Sequence, residues 1–136
     1  MQKFGEQIAH YMEMVRRGKT DNAFHGLLDM DHGIIPELIA AYRVERDAGV
    51  REFLVKLLWE YRERSVIPFL GEALLDPEPL VWREALNGLV TLASLAALDV
   101  LRGARTRQFP TQRDTEEFLR WLDEAIEQAE AEVKKV

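Results

Sequence analysis

The sequence predicts an all-α protein: a short α-solenoid of antiparallel helix pairs, with about eight helices in 136 residues. Three observations carry that prediction. Apolar residues recur at helical spacing, as in Val50, Phe53, Leu54, Leu57, Leu58 and Tyr61, which form one unbroken stripe. No stretch alternates apolar and polar residues for long, so strands have no signal. And parts of the chain repeat, since Ile34-Ile35-Pro36-Glu37-Leu38 returns as Val66-Ile67-Pro68-Phe69-Leu70.

The elements follow from the breakers and caps between the stripes. A first helix spans 4–17 and ends at Gly18, and Thr20-Asp21 starts a short second one over 21–30. Asp31-His32-Gly33 precedes the third, 34–45. The fourth, 48–61, carries the long stripe. The fifth covers 65–75, and Asp76-Pro77-Glu78-Pro79 parts it from the sixth, 79–92. A seventh covers 95–106. Gly103 to Arg113, which includes Phe109-Pro110, is the only long connection expected. The eighth, 114–133, repeats the helical stripe in Phe118, Leu119, Leu122, Ala125, Ile126 and Ala129.

The repeat fixes how these helices associate. Val50, Leu54, Leu58 and Tyr61 recur as Val81, Ala85, Leu89 and Leu92, and the first-helix pattern comes a third time as Ala97-Leu98-Asp99-Val100-Leu101. The unit is a helix, a tight turn and a second helix. Such a pair cannot bury its own apolar faces, so copies stack into a curved slab. A single domain over 1–136 is expected, with clear repeats at about 33–94 and degenerate capping repeats at 1–32 and 95–136.

Asp76-Pro77-Glu78-Pro79-Leu80-Val81-Trp82-Arg83-Glu84-Ala85-Leu86 resembles the inter-helix turn and second helix of a HEAT repeat, and Glu45 to Leu54 fits the same frame without gaps. The resemblance implies that the proline starts or kinks a helix, that the Asp caps the second helix, and that an Arg after the Val bonds neighbouring turns. Arg51 holds that place in the first clear repeat. In the second it is taken by Trp82, with Arg83 one residue later. The motif specifies a superhelical fold and says little of function.

Composition removes whole classes of activity. With no cysteine, disulfides, thiolate metal sites and cysteine nucleophiles are impossible. The net charge of −6 disfavours general binding to nucleic acid or anionic membranes. No run approaches the ~20 apolar residues of a membrane span, and Met1-Gln2-Lys3-Phe4-Gly5 lacks a leader's apolar stretch, so a cytoplasmic protein is expected. The acidity is concentrated: Asp114 to Val136 holds eight acids against Arg120, Lys134 and Lys135. Just before it, Arg102, Arg105, Arg107 and Arg113 stand without an acid among them.

Candidate chemistry is sparse. His25 and Asp29, four residues apart, would share a helix face as a two-ligand metal grip does, with Asp31 and His32 nearby. Asp31-His32-Gly33 reads equally as a helix stop and cap, and His10 lies on another helix, so no metal and no cofactor are expected. Ser65 and Ser94 sit at helix boundaries, outside any nucleophile elbow, and there is no phosphate loop. The chain is not expected to be an enzyme.

Binding is the better-supported chemistry. The second helices offer Arg51, Glu52, Lys56, Arg83, Glu84 and Asn87 as an exposed face of mixed charge, which suits a protein partner. Trp82 reads as core. Trp59, off its helix's stripe and beside Arg62, reads as packing between repeats ahead of partner contact. Trp121 lies on a helix with no successor to cover it. Arg105 and Arg107, with Phe109, either grip an acidic partner or a phosphate, or fold back on the acidic last helix. The expected function is a non-catalytic protein–protein interaction module or adaptor, its partner another protein, one with a basic surface being the natural match. Other small proteins of HEAT type resemble immunity proteins, here against a basic toxin such as a nuclease. HEAT-like glycosylases and bilin lyases make an enzyme or accessory subunit the less favoured alternative.

Overall fold

The computed structural model describes residues 4–135, and among these it is helical throughout, without strands. Eight helices form four antiparallel pairs: α1 (Gly5–Arg16) with α2 (Thr20–Leu28), α3 (Ile35–Val44) with α4 (Ala48–Glu60), α5 (Ile67–Ala73) with α6 (Pro79–Leu92), and α7 (Leu95–Gly103) with α8 (Gln112–Lys134). Several expected ends shift. The residues before α3 and α5, His32–Ile34 and Arg64–Val66, are single 3-10 turns, and Ala104–Thr106 is another after α7. The first two place Pro36 and Pro68 in the first turn of their helices, where a missing N–H costs nothing.

The pairs stack in two layers. The second helices α2, α4, α6 and α8 lie side by side and pack on one another more closely than the first helices do, so the slab is concave on their side. Between the layers runs one continuous apolar core, from Ile8 in α1 through Leu54, Leu58, Leu70 and Leu89 to Ala129 in α8. The contact between α4 and α6 is the most extensive, and Gly88 is why. A Cβ there would lie 2.7 Å from the Trp59 indole ring, so only glycine lets the two helices close over that side chain.

The turns repeat in part. Arg62 and Ala93 close α4 and α6 with φ of 56° and 43°, the left-handed conformation that usually falls to glycine at this point. Asp47, Ser94 and Thr111 each cap the next helix by accepting a backbone N–H three residues on.

The turn before α6 centres on Asp76, the one charged side chain buried among the described residues. It accepts two hydrogen bonds from Arg51, at 2.8 and 3.2 Å, one from Tyr42 Oη at 2.7 Å and one from the Glu78 N–H at 3.0 Å. Burial by itself raises the Asp76 carboxyl, yet these donors outweigh it and hold the group below the ordinary aspartate range. Burial, and then the Asp76 carboxylate, push the Tyr42 hydroxyl up. Arg51 also donates to the Glu45 and Arg46 carbonyls of its own turn. In the next repeat Trp82 holds the place of Arg51, and the missing guanidinium is replaced from elsewhere in the chain. Arg107 reaches across to donate to the carbonyls of Leu74 and Asp76, the latter at 2.9 Å.

Candidate functional site

The concave face is where the second helices leave side chains uncovered. Helix α6 supplies Arg83, Glu84, Asn87 and Val90, at the spacing that puts residues on one side of a helix. Helix α8 matches it with Trp121, Glu124, Ala125 and Gln128, and α4 adds Glu52. Together they enclose a groove of about 380 Å³.

Its floor is apolar. Leu80 and Trp121, 46% and 43% exposed, line it with the less exposed Leu86, Val90 and Ala125. Large apolar side chains left this open are unusual outside binding surfaces when they gather in one concavity. Trp121 is also held still: its ring packs edge-on against buried Trp82, 6.4 Å between centroids, and the Arg83 guanidinium lies over it at 4.5 Å. A pre-ordered aromatic loses little entropy on binding.

The rim is acidic. Glu52, Glu84 and Glu124 face a single cation, Arg83, whose charge is already matched by Glu117 at 2.7 Å. Glu84 accepts from Trp59 Nε1 at 2.9 Å, which fixes its carboxylate at the α4–α6 seam. Neither Glu52 nor Glu124 forms an ion pair among the described residues. Burial pushes the Glu52 carboxyl above its ordinary range, the charge of Glu84 adds to this, and Lys56 offsets part of it.

The ten residues singled out in the sequence separate into two groups. Glu52, Arg83, Glu84, Asn87 and Trp121 meet in the groove. Lys56 is exposed on the same face but further along, its ammonium 5.6 Å from the Phe24 ring. The expectation of a binding role for Arg51 gives way to a structural one, because its side chain is 13% exposed and its donors are committed to Asp76 and two carbonyls. Trp59 is 7% exposed and lies in the repeat seam, with Arg62 over its ring. The arginine-rich connection folds back on the molecule. Arg102 pairs with Glu130 at 2.7 Å, Arg105 with Asp123 at 3.0 Å, and Arg107 is the turn clamp described above. After Ala104–Thr106 only five residues separate this segment from α8, and Phe109 packs on Phe118, so it is no open loop.

The remaining histidines and acids do not gather. His32 Nδ1 bonds Glu63 on the next repeat's turn, and no group of three or more His, Asp or Glu stands together in metal-binding geometry among the described residues. Leu80, Glu124 and Gln128 were not singled out from the sequence. Glu124 and Gln128 had a signal, at three and seven residues beyond Trp121 on the same helical side; Leu80 had none.

Stacked antiparallel helix pairs with a concave face of second helices define the class of α-solenoid repeat proteins. Within it the chain belongs to the HEAT-repeat family, whose profile, described as HEAT repeats, matches residues 35–120. No curated protein matches the chain, and no solved structure does. The matched span runs from α3 into α8 and so contains most of the groove.

Proposed function

We propose that this protein is a non-catalytic protein-interaction module that binds its partner in the concave groove between α6 and α8. The observation that carries this reading is the pairing of exposed Leu80 and Trp121 with a charged rim, the anatomy of an interface core and its surround. Membership of a family commonly used as an interaction scaffold supports it. No helix among the described residues is long and apolar enough to cross a membrane, which agrees with a partner met in solution.

The acidic rim favours one narrower reading, an immunity-type protein that neutralises a basic toxin. Both readings place the partner on the same surface. A photo-crosslinking residue introduced at Asn87, in the groove, is expected to trap one protein from a lysate of the source cells. The same residue at Pro68, exposed at the start of a first helix, is expected to trap none. Adducts only at Pro68, or none at Asn87, would remove the groove from the account.

A further inference from the structure

We infer that the groove's occupant is a protein segment that presents a lysine or arginine side chain beside an apolar one, the cation lodged among Glu52, Glu84 and Glu124 and the apolar group on Trp121 and Leu80. This deepens the reading above and rests on it. Charge complementarity decides the sign. The groove offers three carboxylates, while its one cation is already neutralised by Glu117. An acidic or phosphorylated segment would meet like charge, and a wholly apolar one would bury Glu52 and Glu124 without an ion-pair partner.

The positions of the groups narrow the match further. Glu52 and Glu124 stand on opposite walls, on α4 and α8, with Glu84 on α6 between them. A cation on a flexible stem can meet them while its methylenes lie on the apolar floor, as lysine and arginine stems do. Arg83 already shows the accommodation on a small scale, its guanidinium stacked on the Trp121 ring. The Glu52 carboxyl, raised by burial and then by the charge of Glu84, agrees, because an arriving cation favours its carboxylate against both.

The test uses an amphipathic helical peptide bearing lysines, and the same peptide with every lysine replaced by glutamine. Binding is followed by the three indole N–H resonances of the full-length ¹⁵N-labelled protein. The lysine peptide is expected to move the resonances of Trp121, in the groove, and of Trp59, whose indole N–H donates to Glu84, and to move that of buried Trp82 less. The variant E52Q/E84Q/E124Q is expected to weaken binding at least tenfold, and so is E124K alone, an exposed change that leaves the core intact. The control D114N/E127Q/E132Q removes the same number of charges from α8 outside the groove and is expected to change affinity less than threefold. Equal weakening by the two triple variants means diffuse attraction to an acidic protein and overturns the inference. Equal binding of the glutamine peptide at Trp121 overturns the cationic occupant but leaves the groove a protein-binding site. A crosslinked partner at Asn87 together with no binding of the lysine peptide has the same meaning, whereas loss of the Asn87 adduct strikes the parent reading.

Discussion

At the scale of single residues, the molecule depends on a few committed polar groups. Asp76 is the clearest, because removing its carboxylate leaves Arg51 and the buried Tyr42 hydroxyl without their acceptor. D76A is expected to cost about 3–5 kcal/mol, read from chemical denaturation. The carboxyl's pKa is lowered on folding. The linked stability is therefore present at pH values above the ordinary 3.8 and is lost as pH falls through the lower, folded value. Unfolding followed across that acid range should show wild type losing stability while D76A, already without the group, loses less. Arg107→Met removes the guanidinium that lies over Phe109 and donates to Leu74 and Asp76; a loss of about 1–3 kcal/mol is expected, and no loss would deny its part as a turn clamp.

At the scale of elements, the fold turns on how α4, α6 and their turns fit together. Gly88→Ala sets a methyl group against the rigid base of the Trp59 side chain, so a destabilisation of about 1–3 kcal/mol is expected. An unchanged melting curve would show that the seam is looser than described. Ala93→Gly has the opposite sign. An L residue held at φ 43° pays for its Cβ, and glycine should stabilise the protein by about 0.5–1 kcal/mol. The helices themselves were legible in the sequence because their stripes are long and the repeat doubles each signal. The 3-10 turns were not, since a single turn leaves no period to read. Nor was the docking of the arginine-rich connection, because opposite charges close in sequence fit both a free loop and a folded-back one. Its length misled as well: α7 and α8 reach into it from both sides, leaving five residues outside regular structure after the 3-10 turn.

At the scale of the whole molecule, the fold turns a mixed-charge sequence into a surface with one polarity where it matters. Six candidate residues on the second helices looked balanced between acid and base along the chain. Folding draws Arg51 into a turn, matches Arg83 to Glu117 and leaves Lys56 further along the face, so the groove keeps its carboxylates. That sorting is a property of side-chain partners about one repeat's length apart in sequence, which no local pattern carries. The same geometry brings Trp121 of α8 and Leu80 at the start of α6 into one groove, two residues with nothing in common until the slab closes. The central claim is that these two form the centre of the binding face. The direct measurement is calorimetric: the affinity of the partner captured at Asn87 for wild type, Trp121→Ala, Leu80→Ala and the convex-face change Pro68→Ala, each checked for a retained melting transition. A loss of about 2 kcal/mol, near thirtyfold, is expected for Trp121→Ala, a smaller loss for Leu80→Ala and none for Pro68→Ala. Unaltered affinity in both groove variants, with weakened binding in Pro68→Ala, would contradict the central claim.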